Sequence, residues 1–381
     1  MLKLRIETNC GDVMENINSV ISAFKFKGEL ESAELYGSGH INTTYLLTFL
    51  NGGKEERYIL QNLNSNVFKD IENLMENVFS VTNYLREQIK AEGGNENRET
   101  LHYIKTVDGK KFYVDGDGKY YRAYVFVENS VSYNSAESAE MFGESGRAFG
   151  KFQRLLSDFP AETLHETIPD FHNTAKRYET EFLPAAKADV AGRRATCERE
   201  IDFVNARRGY CSRFVDMINN GTLPLRVTHN DTKLNNVMFD KDTGKAVCVI
   251  DLDTVMPGLA LYDFGDSVRF GANTADEDEK DLSKVGIDLD YFEAYARGFL
   301  SEAGHSLKRE ETDNLAFASL LMTFECGMRF LTDYLNGDTY FKTAYADHNL
   351  VRAKNQFGLV VSMEQNMSKM RSIIKDITKN G

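Results

Sequence analysis

The first third of the chain alternates apolar and polar residues with a period of two, which predicts strands over residues 31–36, 44–50 and 57–61. Gly37-Ser38-Gly39 joins the first two as a hairpin would, and Asn51-Gly52-Gly53 joins the next two. From about Asn66 the period changes. Val67, Ile71, Leu74, Val78, Val81 and Leu85 recur at spacings of three and four, so a helix with one buried face is expected. A glycine-bearing segment, residues 91–100, follows. Residues 103–106 and 111–114 read as strands around a Val-Asp-Gly-Lys turn, and residues 120–127 as an aromatic-rich strand. The sum is an antiparallel sheet carrying one helix.

After residue 127 helical spacing dominates. A helix over residues 141–156 carries Gly143, Gly146 and Gly150, small enough to let another element approach closely. Residues 174–220 hold charges at helical spacing, as a solvated face does. The one break is residues 225–253, read as two short strands around a loop. Helices are expected again over 289–300, 314–335 and 349–377. With no repeat and no low-complexity linker, the expectation is an α+β chain of two parts, 1–127 and 128–381, sharing a continuous interface.

The break holds the chemistry. It reads Thr228-His229-Asn230-Asp231-Thr232-Lys233-Leu234-Asn235-Asn236, then the apolar strand Val247-Cys248-Val249-Ile250, then Asp251-Leu252-Asp253. A lone H-x-D is common, and as an Asx-capped turn it would be unremarkable. H-x-D-x-x-x-x-N followed by a strand-terminal acid is more specific. Phosphoryl transfer from ATP needs a carboxylate at the acceptor hydroxyl and oxygen ligands for Mg²⁺, on rigid adjacent backbone. Magnesium keeps several of its waters, so one Asp and one Asn suffice. The assignment is Asp231 as base, Asn236 and Asp251 as metal ligands, and His229 as the loop's support. Asp253 either touches metal or caps a turn.

Composition narrows the partners. Lys and Arg total 45 against 58 Asp and Glu, a net charge of -13. That argues against a basic nucleic-acid face and against a polybasic membrane surface. Cys10, Cys197, Cys211, Cys248 and Cys326 form no C-x-x-C pair and read as reduced thiols. The opening MLKLRIETNCGD lacks the apolar core of a signal peptide, and the apolar run 315–324 soon meets Glu325 and Arg329. A cytoplasmic monomer acting on ATP and a small molecule is expected.

The segments THNDTKLNNVMFD and VIDLDTVMPGLALYDFGD resemble the aminoglycoside phosphotransferase and choline kinase superfamily, and within it the N-acetylhexosamine 1-kinases. YGSGHINTTYLL, YILQNLNSNVFKDIENLMENV, HETIPDFHNT and MRFLTDYLNGDTYF extend the resemblance over roughly residues 30–345. It implies a two-lobed, protein-kinase-like fold and transfer of the ATP γ-phosphoryl group to a sugar's anomeric hydroxyl. It implies a hinge near residues 126–129, including Glu128, and a loop over the phosphates at 36–44, with Gly37, Ser38, Gly39 and Asn42. Two glycines would let backbone amides approach an anion, although a plain hairpin looks the same. Arg329 and Tyr340 would contact the sugar; alternatively Arg329 serves a structural ion pair and Tyr340 the core. Gln61 stands where protein kinases place a Lys. Either another cation such as Lys69 substitutes, with Glu72 or Glu76 as partner, or the nucleotide site is built differently. No activation segment ending in Ala-Pro-Glu follows Asp251, which sets protein kinases aside. The rival readings are a kinase for choline, an amino alcohol or an aminoglycoside, and a nucleotide-binding pseudokinase.

Overall fold

The computed structural model describes residues 11–37 and 42–379. After helix α1 (Gly11–Ser22), strands β1 (Glu29–Leu35), β2 (Thr43–Asn51) and β3 (Lys54–Leu63) meander antiparallel. Helix α2 (Ile71–Ala91) crosses over, and β4 (Tyr103–Ile104), β5 (Tyr113–Val114) and β6 (Tyr120–Val125) complete the sheet. Its order is β1-β2-β3-β6-β4, with β5 also paired to β6. Alternation in the sequence located these strands although the sheet is covered on both faces: Tyr58, Leu60, Tyr121 and Ala123 join one core cluster with α1, and Leu63 and Tyr103 join another with α2. The start of α2 is a correction. Asp70 caps it by accepting the Asn73 N–H at 3.0 Å, so Val67 lies in the preceding turn, 50% exposed.

The remaining chain is mainly helical. Short β7 (Ser130–Val131) leads to α3 (Ala139–Leu155), and shorter helices fill residues 174–219. The break is richer than the two strands expected. β8 (Arg226–Thr228), β9 (Val237–Asp240), β10 (Ala246–Val249) and β11 (Met256–Gly258) form two small antiparallel sheets, β10-β9-β7 and β11-β8. Then come α4 (Ala260–Gly271), α5 (Leu289–Ala303), α6 (Leu315–Leu335) and α7 (His348–Lys379). Helix α4 was not expected, although Asp263, Asp266 and Ser267 form a polar stripe at helical spacing; residues 260–269 are all buried, and that stripe meets the loop after β8 through Asp263 and Ser267. The frame is the protein-kinase-like α+β arrangement: antiparallel sheet in one lobe, helices in the other.

Close helix approach explains the glycines. A Cβ on Gly146 would stand 2.4 Å from the Tyr295 carbonyl oxygen, and one on Gly150 2.4 Å from that of Phe299. Helix α6, the one described helix long and apolar enough to cross a membrane, is 89% buried inside the fold. The four described cysteines are unpaired; Cys10 lies outside the described residues.

Replacing Gly150 by Ala should lower the unfolding free energy by about 2 kcal/mol, because overpacking exceeds the roughly 1 kcal/mol gained in helix propensity. Urea titration reads this; an unchanged midpoint would mean that α3 and α5 part without cost.

Candidate active site

Strand β8 delivers the chain into a loop whose backbone is fixed by one buried carboxylate. Asp263, in the first turn of α4, accepts the N–H of His229 at 2.9 Å and of Asn230 at 2.8 Å. Gln153 of α3 donates to the same carboxylate at 2.9 Å, and the Thr232 hydroxyl donates to the Asp263 carbonyl at 2.6 Å. Asn230 takes a left-handed φ of 64° in this loop, a conformation that Asn tolerates better than most residues.

His229 is fully buried, edge-on to Phe149 and Phe152. Its Nε2 lies 2.8 Å from the Ile250 carbonyl oxygen, and its Nδ1 accepts the Asp231 N–H at 3.3 Å. Those partners select the tautomer with the proton on Nε2. The ring thereby ties the loop to the residue that precedes Asp251.

Asp231 is a third exposed. One carboxylate oxygen meets Lys233 Nζ at 2.9 Å, and the other accepts from Asn236 Nδ2 at 3.2 Å. Asn236 Nδ2 also donates to the Asp231 carbonyl at 2.8 Å, so its own side-chain oxygen is left over as a hard ligand. Asp251 follows β10 with a left-handed φ of 60°, a strained geometry for Asp that costs on the order of 1 kcal/mol. It is solvent-accessible in the cleft. Desolvation by the cleft walls, then the charges of Asp253 and Asp231, push its carboxyl above the ordinary range, against the pull of Arg122. The three predicted side chains therefore converge.

This donor set suits magnesium. Among the described residues no three His, Cys, Asp or Glu side chains form a cage, but Mg²⁺ needs only a few protein oxygens. Asn236 and Asp251 would supply them, and the crowding at Asp251 is repulsion that a divalent cation would relieve.

Facing this loop, the sheet contributes a row of polar side chains. Thr44, Gln61 and Arg122 are register partners across β2, β3 and β6. Gln61 Nε2 donates to Thr44 Oγ1 at 3.2 Å, and Gln61 Oε1 accepts from Arg122 Nε at 2.9 Å. Arg122 pairs with Asp253, both buried. Asn42 Nδ2 donates to the other Asp253 oxygen at 2.9 Å, and Asn42 Oδ1 accepts the Asn64 N–H at 3.0 Å. So Asp253 does more than cap a turn. Gly37 has a left-handed φ of 77°, while Ser38 and Gly39 lie outside the described residues. Lys69 and Glu72 are exposed and Glu76 pairs with Lys111, which removes them as the substitute cation and its partner.

At the hinge, the Tyr36 and Phe126 rings meet edge-on at 5.8 Å. Glu128 gives its side chain to Arg57 and its carbonyl to Arg98. On the helical side, the Arg329 guanidinium lies within 5.6–5.8 Å of the Phe171, Tyr340 and Phe341 rings and has no hydrogen bond or ion pair among the described residues. The structural ion pair that would explain it is thus not formed. Tyr340 is 71% exposed, so it is not core. Arg329 stands one turn after Cys326 on α6. His172 pairs with Glu325 at 2.8 Å, a packing role.

Three residues went unrecognised from sequence. Lys233 stands two positions after Asp231 within the quoted motif. Arg122 is the lone charge in an aromatic strand. Asp263 lies in the Asp-Phe-Gly-Asp run of α4, and nothing local marks it.

The model of the phosphotransferase enzyme family, APH, matches residues 32–300. The fold is similar to that of Plasmodium vivax ethanolamine kinase (TM-score 0.52, 12% identity, 89% of this chain and 83% of that one). It is similar to an aminoglycoside phosphotransferase from Alicyclobacillus acidocaldarius (0.52, 13%, 92% and 96%). It is also similar to a spectinomycin phosphotransferase in complex with ADP and spectinomycin (0.50, 12%, 96% and 100%).

A carboxyl whose folded pKa is raised holds its proton to higher pH and must release it to meet a cation. Mg²⁺ should therefore raise the melting temperature more at about pH 8 than at about pH 5. Asp251→Asn should erase that difference. Equal shifts at both pH values would place the cation elsewhere.

Proposed function

The chain belongs to the phosphotransferase enzyme family, a small-molecule kinase by its fold and matched motifs, and within that family we propose that it phosphorylates the anomeric hydroxyl of an N-acetylhexosamine. The observation that carries the phosphotransferase reading is the convergence of Asp231, Asn236 and Asp251 opposite the sheet. The sugar reading rests on the resemblance of the quoted segments and on Arg329. A cationic acceptor calls for an acidic, aromatic-lined pocket. Here the aromatic cluster of Phe171, Tyr340 and Phe341 already faces a guanidinium with its donors unspent, which suits a neutral, oxygen-rich acceptor and disfavours choline or an aminoglycoside.

In the mechanism, Asp231 accepts a hydrogen bond from the sugar's anomeric hydroxyl and orients its oxygen in line with the γ-phosphorus of ATP. The new O–P bond forms as the bond to the β–γ bridging oxygen breaks. ADP departs, and the hydroxyl proton passes to Asp231. The transition state is loose, so position and charge neutralisation outweigh base strength. Lys233, on Asp231 Oδ1, fixes the carboxylate and adds positive charge beside the transferring group. Magnesium held by Asn236 and Asp251 would neutralise phosphate charge. His229 and Asp263 keep the loop from moving, which matters because misplacement by about 1 Å costs on the order of 10²-fold in rate. Residues 1–127 supply the nucleotide side of the cleft, residues 128–381 the acceptor side, and the protein works in the cytoplasm as a monomer.

Asp231→Asn should lower kcat by about 10² or more, the usual range for a general base, with ADP affinity little changed. Near wild-type turnover would remove Asp231 from that role. A panel of N-acetylglucosamine, N-acetylgalactosamine, glucose, galactose and choline, read by ADP release, tests the acceptor. N-acetylated sugars should give the highest kcat/KM, and Arg329→Met should raise their KM by about tenfold, one charge-assisted hydrogen bond. Turnover of choline in their place would overturn the sugar while leaving the kinase. Nucleotide binding without turnover of any acceptor would favour the pseudokinase.

A further inference from the structure

A phosphotransferase cleft gathers several negative charges of nucleotide beside its own carboxylates, so it needs a fixed cation on the sheet side. Strand β3 offers none at Gln61. The cation is one strand over. Arg122 is the register partner of Gln61, so the two side chains emerge on the same face, and Gln61 Oε1 accepts from Arg122 Nε at 2.9 Å. That bond uses one of five donors. A second goes to Asp253, and the guanidinium acts on Asp251 from within electrostatic reach. Arg122 is 1% exposed and flanked by the Tyr103 ring at 5.6 Å and Met75 Sδ at 4.0 Å, so its direction is set by packing. A buried Arg matched only for stability would be served better by apolar residues. This one sits where the phosphate loop, through Asn42, and the metal loop, through Asp251 and Asp253, come together.

We propose that Arg122 is the nucleotide-phosphate cation of this site: a positioning residue supplied by β6 in place of a β3 lysine, aimed by Gln61 and balanced by Asp253. This rests on the nucleotide-dependent phosphotransferase reading. Gln61 orients rather than neutralises, and Asp253 competes with phosphate for the same guanidinium.

The test is calorimetric binding of adenosine, AMP and ADP to the full chain, with and without Mg²⁺. Arg122→Gln should weaken ADP by about tenfold or more while leaving adenosine unchanged, because only phosphates meet the charge. Arg122→Lys should recover part of the loss. Asp253→Asn, measured without Mg²⁺, should tighten ADP relative to adenosine by freeing the guanidinium, and it decides the matter if Arg122→Gln fails to fold. A parallel loss of adenosine and ADP in Arg122→Gln, unchanged ADP affinity in it, or unchanged or weaker Mg²⁺-free ADP binding in Asp253→Asn would each overturn the proposal. A wild-type chain that binds no ADP with Mg²⁺ would overturn the nucleotide reading and this proposal together. ADP binding by wild type with no selectivity in the variants would overturn this proposal alone.

Discussion

The site depends on a single buried carboxylate. Asp263 is 1% exposed, and in that setting its charge has to be satisfied by donors with good geometry. The donors it takes are the backbone N–H groups of His229 and Asn230 and the amide of Gln153. Helix α4, helix α3 and the loop after β8 are thereby locked to one point. Because Asp231 is the next residue along, its position follows from a bond that the core enforces, not from a mobile loop's average. His229 adds a second constraint from the other side, bonding both the Asp231 backbone and the Ile250 carbonyl just before Asp251.

Fixing Asp231 this way creates an electrostatic problem that the rest of the cleft addresses. Desolvation in the cleft, and then crowding by Asp253 and Asp231, raises the Asp251 carboxyl. Two of the three carboxylates have their own relief. Asp231 has Lys233, and Asp253 has Arg122 and Asn42. Asp251 alone has no hydrogen bond or ion pair among the described residues, and it is the most exposed of the three. The least compensated carboxylate is thus the one a cation can reach. The partial compensation of the other two keeps the set from being too acidic to fold.

Much of this was legible in the sequence, for reasons that differ by element. Strands β1, β2, β3 and β6 were readable because short alternating runs of β-formers are bounded by glycine-bearing turns. The H-x-D-x-x-x-x-N stretch was readable because its chemistry is packed into eight consecutive positions. Asp263 and Arg122 were not, since each matters through a partner distant in sequence: Asp263 through Asn230, 33 residues away, and Gln61 through Arg122, 61 away. The extra strands β9 and β11 were hidden for a related reason. They are four and three residues long, too short to show a period, and they exist because β9 pairs with β10 and β11 with β8. Helix α4 carries a polar stripe, Asp263, Asp266 and Ser267, at helical spacing, so its pattern was present in the sequence although the helix was not expected.

The same logic bears on what the substitution at Gln61 means. A β3 lysine would reach the phosphates on a flexible four-carbon stem, and its charge would need a partner on α2. Here α2 presents Met75 to the site, Glu72 is exposed, and Glu76 is turned to Lys111. With no acid offered by α2, a lysine at position 61 would gain a buried charge without a helix counter-ion. Moving the charge to β6 lets a carboxylate of the metal loop, Asp253, serve instead. The helix is thereby released from the electrostatics of the cleft. The sheet and the metal loop are coupled directly, through one ion pair and the Asn42 amide, so the two sides of the cleft are joined at the point where charge would be transferred.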